Sequence, residues 1–134
     1  MGKVHSKIGK IKSSPTRKRS YVDECINKRK YYASYVFPLD DDEIDRLTVQ
    51  HYIFQNIWDS NFSSPIDNVL KNGAKVLDVG CGPGVWALEM ADKYRNSSFT
   101  GVDIIANFPQ TIKPENTNFI VGDVKKLPFE DNTF

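Results

Sequence analysis

Three glycines stand at alternate positions, Gly80, Gly82 and Gly84, in the segment VLDVGCGPG, which runs from Val76 to Gly84. Glycine has no side chain and adopts dihedral angles that other residues avoid, so such a loop lets backbone approach a ligand closely. Asp78 precedes the first glycine by two residues. Its carboxylate could attract a cationic group of a ligand, or it could cap the loop or the following helix. The segment therefore predicts a binding loop, and its spacing must indicate the ligand.

Two known kinds of glycine loop fit this spacing poorly. A phosphate-binding P-loop needs Lys and then Ser or Thr after its last glycine, whereas Val85 and Trp86 follow Gly84. The dinucleotide fingerprint G-x-G-x-x-G requires its third glycine where Val85 stands. Pro83 also lacks the N–H that a pyrophosphate could use. We therefore exclude a P-loop and disfavour a nicotinamide or flavin cofactor.

The remaining reactive side chains give little sign of covalent or metal chemistry. Cys25 and Cys81 are the only cysteines, and their spacing is not that of metal ligands. We expect an intracellular, cytoplasmic protein without a disulfide or a metal site. Cys81 has no neighbouring base in the sequence, so we interpret it as a small residue of the loop and predict no catalytic nucleophile. His51 and Trp86 are interpreted as packed residues.

The elements around the loop must place it at the edge of a sheet. KVLDV, from Lys75, predicts a strand before the loop, and VWALEMADKY predicts a helix after it. SSFTGVDI and NFIVGDV predict a second and a third strand, which gives a parallel α/β sheet. The segment ANFPQTIKPENT contains two prolines and predicts a loop, in which Ile105, Phe108 and Ile112 would cover one face of the sheet.

Helices are predicted upstream of the loop. In LDDDEIDRLTVQHYIFQNIWDS, Asp40 and Glu43 suit a capping box at the start of a helix. Apolar and aromatic residues at three- and four-residue steps predict one packed face of that helix: Ile44, Leu47, His51, Phe54 and Trp58. PIDNVLKNG predicts a short helix that Gly73 closes.

These segments together resemble class I S-adenosylmethionine-dependent methyltransferases. VLDVGCGPG is similar to their first motif, FTGVDI to the end of their second strand, and FIVGDVKKLPFEDNTF to their third strand and the loop beyond it. Residues 39–66 also resemble the lead-in of a fungal branch akin to regulators of secondary metabolism. The resemblance implies a Rossmann-like fold and S-adenosyl-L-methionine as the cofactor. It implies a cofactor site formed by these residues: Asp78, Gly80, Cys81, Gly82, Gly84, Asp103, Ile104, Asp123 and Val124.

The resemblance also suggests individual roles within that site. Asp103, at the end of the second strand, would accept the two ribose hydroxyls, as in other open α/β crevices; the alternative is a solvated turn residue. Asp123 and Val124 would contact the adenine, although Asp123 could simply form a turn. Ile104 would cover the ribose or adenine, or belong to the core. Methyl transfer needs alignment more than acid–base catalysis, so no catalytic residue is predicted.

The chain departs from the family in the number of strands. The family fold has seven strands in the order 3-2-1-4-5-7-6, and these 134 residues supply the first three, in the order 3-2-1. We therefore predict a helical lead-in at 31–70 and, at 71–134, the N-terminal half of a methyltransferase domain that is incomplete at its C-terminus. One hypothesis is a methyltransferase of which this is a fragment, and we expect the fragment to be inactive alone. The other is a non-catalytic cofactor-binding half-domain. The methyl acceptor cannot be read from the sequence.

The first 30 residues predict a disordered basic arm. They carry ten Lys or Arg and two acidic residues, whereas the remainder carries eight Lys or Arg and fifteen acidic residues. MGKVHS matches the N-myristoylation pattern at Gly2, and four lysines could bind an anionic membrane surface beside it: Lys3, Lys7, Lys10 and Lys12. RKR at residues 17–19 could instead direct the chain to the nucleus, or the arm could be a plain solvated tail. Binding to nucleic acid is not otherwise indicated.

Overall fold

The computed structural model describes residues 24–26, 29–31 and 35–134. It begins with a short antiparallel hairpin of β1 (Glu24–Ile26) and β2 (Arg29–Tyr31). The hairpin therefore includes the last residues of the segment for which disorder was predicted. Residues 1–23 lie outside the described residues, so disorder there stays a prediction.

Helix α1 (Asp41–Trp58) begins at the predicted cap. The Asp40 carboxylate accepts a hydrogen bond from the Glu43 N–H at 3.0 Å. The Glu43 side chain does not complete a capping box, because it is buried in an ion pair with Arg46. The predicted packed face is wrong at its C-terminal end, where Phe54 and Trp58 are exposed and stack on each other. On the other side of these turns, the Gln55 Nε2–H donates to Glu89 Oε2 of the helix that follows the glycine loop.

Three parallel strands form the sheet that carries the site. They are β3 (Lys75–Val79), β4 (Ser98–Asp103) and β5 (Thr117–Val121), with β4 in the middle. Helix α2 (Asp67–Asn72) precedes β3 and ends at Gly73, and helix α3 (Val85–Lys93) connects β3 to β4. The predicted parallel sheet with flanking helices is confirmed. Because the strands are parallel, the residues that follow Val79, Asp103 and Val121 lie at one edge.

The core lies between α3 and the sheet. One stripe of α3 is at most 2% exposed, and it comprises Ala87, Met90, Ala91 and Tyr94. On the sheet, Phe119 stacks on Phe108 with their ring centroids 5.0 Å apart. Phe108 thus covers the sheet as predicted, but Ile112 is 91% exposed, so that part of the prediction is wrong. The connection is not helical, and residues spaced by four therefore do not share a face.

Candidate functional site

The glycine loop leaves the carboxyl end of β3 and turns directly into α3. The N–H groups of Gly80 and Cys81 both donate to the Val102 carbonyl of β4, at 2.7 and 3.1 Å. These bonds hold the start of the loop against the neighbouring strand. The loop continues through Gly82 to Gly84, whose carbonyl accepts the first hydrogen bond of α3, from Leu88.

Two of the glycines serve different purposes. Both Gly80 and Gly84 have positive φ angles, +78° and +79°. A Cβ atom at Gly84 would lie 2.6 Å from the Phe119 ring, so this glycine is required for packing inside the fold. A Cβ atom at Gly80 would meet nothing within 4 Å. The backbone of Gly80 is therefore open to a ligand, whereas that of Gly84 faces the core.

Asp103 ties the loop to the end of β4. Its Oδ2 accepts a hydrogen bond from the Gly82 N–H at 2.8 Å, and its Oδ1 accepts one from the Ile105 N–H at 2.9 Å. The residue is 8% exposed, which rules out the solvated turn residue that the sequence left as an alternative. A carboxylate accepts about four hydrogen bonds, so each oxygen keeps capacity for a further donor.

Asp78 and Cys81 experience the negative charge of this region. Burial, then the charge of Asp103, raises the pKa of Asp78 to about 6, although His51 acts in the opposite direction. Asp78 forms no ion pair with a described residue. Burial, then the charges of Asp78 and Asp103, raises the pKa of the Cys81 thiol to about 12. Cys81 is thus a protonated thiol and a poor nucleophile at neutral pH.

Two cavities meet at Gly80. One, of about 250 Å³, contains five of the residues predicted from the sequence: Gly80, Asp103, Ile104, Asp123 and Val124. Its remaining lining residues are Tyr35, Val79, Val102 and Gly122. The other cavity, of about 180 Å³, lies between α1 and the loop and includes the predicted residues Cys81 and Gly82. Two larger depressions, of about 390 and 670 Å³, contain none of the predicted residues.

The structure brings most of the predicted site together. Asp78 and Gly84 line neither cavity at Gly80. Asp123 lines the larger of these two cavities but also caps the 3-10 helix Val124–Lys126, where its Oδ1 accepts a hydrogen bond from the Lys125 N–H. This is the turn-forming role that the sequence left as an alternative, and its contact with a ligand stays a prediction.

Sequence reasoning missed Tyr35. The residue belongs to a segment without periodicity, 35–40, and nothing in its neighbours indicates that it lies beside Asp103. Trp86 and His51, in contrast, are packed as predicted. The Trp86 Nε1–H donates to the Asn61 carbonyl at 2.8 Å, and His51 Nε2 lies 3.0 Å from Glu89 Oε2.

Other chemistry has little support in the described part of the chain. Residues 24–26, 29–31 and 35–134 contain no cluster of side chains that could hold a metal ion. None of the helices described is long and apolar enough to cross a membrane.

Comparisons with known proteins point to one family. The family model described as a methyltransferase domain matches residues 76–134. The chain is 32% identical over 105 residues to the secondary metabolism regulator LAE1 of Cochliobolus heterostrophus. The aligned region covers 75% of this chain and 33% of that protein. It is 36% identical over 98 residues to the methyltransferase pytC of Aspergillus terreus, with 72% of this chain and 29% of that protein covered.

A third relative has a name that states an acceptor. The protein-methionine methyltransferase laeA of Emericella nidulans is 37% identical over 87 residues, which are 63% of this chain and 22% of that protein. The matched regions thus span a third or less of the length of each of these curated relatives.

Proposed function

Since the chain belongs to the class I S-adenosylmethionine-dependent methyltransferases, in a fungal branch with LAE1 and laeA, we propose that it forms the cofactor-binding half of a methyl-transferring enzyme. The cofactor would be S-adenosyl-L-methionine, and the enzyme would transfer its sulfonium methyl group to an acceptor. One observation carries the proposal: the open backbone of Gly80 lies where two cavities meet, beside a buried carboxylate at the end of the next strand.

The residues present fit this cofactor. S-Adenosylmethionine has a nucleoside end and a charged amino acid end, which are joined at a sulfonium. Gly80 lines both cavities, so each cavity could receive one end of the cofactor. Asp103 would accept hydrogen bonds from the ribose hydroxyls with the capacity that its two backbone contacts leave. Asp123 and Val124 would hold the adenine, with Ile104 against the ring or the ribose. Gly82 and Cys81 would line the path toward the amino acid end.

The electrostatics of the loop suit a cationic ligand. Burial, then the charge of Asp103, raises the pKa of Asp78, and no salt bridge joins Asp78 to a described cation. A ligand with an ammonium and a sulfonium group would supply the missing positive charge. Binding would therefore favour the ionised form of Asp78 and release part of a proton at neutral pH.

The cofactor, when bound, supplies a methyl group on a good leaving group, so the protein has little proton transfer to perform. The residues of this chain would instead bind, orient and exclude water. This agrees with the raised pKa of Cys81, which makes the thiol of the loop a poor nucleophile. The acceptor would be positioned by residues beyond these three strands.

Calorimetry with S-adenosylmethionine tests the proposal. It should use the natural polypeptide that contains these 134 residues, whatever its length, with S-adenosylhomocysteine as a second ligand. We expect saturable binding by the natural polypeptide. Where that polypeptide continues beyond Phe134, residues 1–134 alone should bind weakly or not at all. Asp92→Ala serves as the control variant, because Asp92 is an exposed acidic residue of α3 whose ion pair among the described residues is with Arg95. Absence of binding to a folded natural polypeptide would overturn the proposal.

The N-terminal arm carries a second, separable proposal. It lies outside the described residues, and its support is the sequence alone: Gly2 in a myristoylation pattern followed by Lys3, Lys7, Lys10 and Lys12. One myristoyl chain gives marginal anchoring, and a polybasic segment is the kind of second signal that membrane residence requires. We propose that the arm binds an anionic membrane surface.

The mass of the protein isolated from its native host tests the arm. We expect the myristoyl mass on a chain that begins at Gly2, and loss of the membrane fraction in Gly2→Ala. An unmodified Gly2 together with an unchanged distribution of Gly2→Ala would refute the proposal. Nuclear localisation that depends on residues 17–19 would favour the competing interpretation of the basic arm.

A further inference from the structure

A segment ahead of α1 is fastened to that helix at two points. We call residues 29–31 and 35–40 the N-terminal strap. Its first fastening is bidentate: Arg29 Nε and Nη2 donate to the two carboxylate oxygens of Asp40, at 2.6 and 2.7 Å. Asp40 is also the N-cap of α1, and Tyr31 bridges Pro38 in antiparallel fashion. The ends of the strap are therefore held together where the helix begins.

The second fastening lies next to Tyr35. The Arg46 guanidinium of α1 lies 5.4 Å from the centre of the Phe37 ring, and it pairs with Glu43, which is 3% exposed. Phe37 in turn contacts Tyr35 edge to face, with their ring centroids 6.0 Å apart. Arg46, held by the buried Glu43 carboxylate, thus contacts the ring against which Tyr35 packs.

These contacts place Tyr35 on the wall of the larger cavity at Gly80, together with Asp103 and Ile104. Burial, then the negative charges of Asp103 and Glu43, raises the pKa of the Tyr35 phenol, so the hydroxyl keeps its proton at neutral pH. The hydroxyl forms no hydrogen bond with another residue in the described part of the chain. It is therefore a donor on the wall of a cavity whose charged lining residues, Asp103 and Asp123, are both acceptors.

We propose that Tyr35 is a further ligand-binding residue, carried by the strap, that closes the cavity at Gly80 and donates a hydrogen bond to an oxygen of the nucleoside bound there. This inference rests on the proposed function. It adds to it a residue from outside the glycine loop and the three strand ends. The strap fixes the position of the Tyr35 hydroxyl. Asp103, on the same wall of the cavity, is a carboxylate that accepts hydrogen bonds, so Tyr35 is the residue that would donate one.

Calorimetry with S-adenosylmethionine on the natural polypeptide tests the contact. Tyr35→Phe removes the hydroxyl and keeps the ring, and we expect it to weaken binding about threefold to tenfold, the usual effect of one neutral hydrogen bond. Tyr52→Phe is the matched control, because Tyr52 is a half-exposed tyrosine of α1 outside the cavity and should bind as the wild type does. Arg29→Gln loosens the strap without touching the cavity and should also weaken binding.

The outcomes separate this inference from the proposed function. If the wild type binds and Tyr35→Phe binds equally well, the role of Tyr35 is overturned and the proposed function stands. If the wild type binds neither S-adenosylmethionine nor S-adenosylhomocysteine, both proposals fall. Weaker binding by Tyr35→Phe, with an unchanged unfolding midpoint and an unaffected Tyr52→Phe control, supports the inference.

Discussion

Replacing Asp103 tests whether one carboxylate both shapes the glycine loop and binds the ligand. In the structure its two oxygens accept hydrogen bonds from the N–H groups of Gly82 and Ile105, at 2.8 and 2.9 Å. Asp103→Ala leaves both N–H groups without this partner. Asp103→Asn keeps one acceptor oxygen, but its amide turns a donor toward the other N–H. Asp103→Ala should therefore lower the free energy of unfolding more than Asp103→Asn does.

The expected magnitudes follow from those contacts. A hydrogen bond to a charged group contributes about 1.5–3 kcal/mol to stability, and Asp103 makes two of them. We expect Asp103→Ala to lower the free energy of unfolding by about 3–5 kcal/mol, since water can reach part of the vacated space. Asp103→Asn should lower it by about 1.5–3 kcal/mol. Loss of the charged acceptor for the ribose should weaken binding about tenfold to a hundredfold in either variant.

Two assays separate stability from binding. Urea unfolding without ligand gives the free-energy differences, and calorimetry on the folded variants gives affinity. Asp92→Ala is the control, because its exposed ion pair with Arg95 should contribute less than about 1 kcal/mol. Since a domain is stable by only about 5–15 kcal/mol, Asp103→Asn is the variant that decides if Asp103→Ala does not fold.

Two results would refute the reasoning. Asp103→Asn with wild-type stability would mean that the loop does not depend on the carboxylate. Asp103→Asn with reduced stability but wild-type affinity for S-adenosylmethionine would leave Asp103 a purely structural residue. Only a loss of both supports the double role.

Three further changes test the loop, the charge and the core. Gly84→Ala should destabilise the fold by about 1–3 kcal/mol more than Gly80→Ala. Both glycines have positive φ, but only at Gly84 would the new Cβ meet the Phe119 ring. Equal losses of unfolding free energy in urea would contradict this. Because the pKa of Asp78 is raised to about 6, the folded chain should bind a proton between about pH 4 and 6, where an unfolded aspartate has lost it. The free energy of unfolding of the wild type minus that of Asp78→Asn should therefore fall as the pH rises through this window and then level off. A difference that does not depend on pH would show that the Asp78 carboxylate is well solvated. Thr117→Val should be neutral or stabilising by about 1 kcal/mol, since the buried Thr117 Oγ1 has no hydrogen-bond partner among the described residues; a clear loss of thermal stability would reveal a partner.

The parallel sheet and the glycine loop could be predicted because their signals are local. A strand of five residues, a glycine loop and a helix with a buried stripe follow one another within residues 75–94. Each has a period or composition that adjacent residues reveal. The predicted packed face of α1 was wrong at Phe54 and Trp58 because that prediction also rested on a local signal. Periodicity identifies an apolar face, but it does not say whether another element covers that face.

The contacts that give the site its geometry could not be predicted, because they join residues that are distant in the sequence. Asp103 accepts from the backbone of Gly82, 21 residues earlier. Glu89 Oε2 accepts hydrogen bonds from Gln55 and Asn61 and lies 3.0 Å from His51 Nε2. Burial raises the pKa of Glu89, but these three contacts outweigh it and lower the pKa. Such contacts depend on the packing of whole elements, which no window of the sequence contains.

Asp103 also explains why the loop and the strand end form one unit. The Val102 carbonyl accepts from Gly80 and Cys81, and the next side chain along the strand accepts from Gly82. The first three residues of the loop are thus fixed by two consecutive residues of β4. Because these bonds lie within the protein, the loop has its conformation before a ligand arrives, and binding need not supply the energy to order it. A substitution that disturbs β4 at this edge should therefore reduce affinity even where it touches no ligand atom.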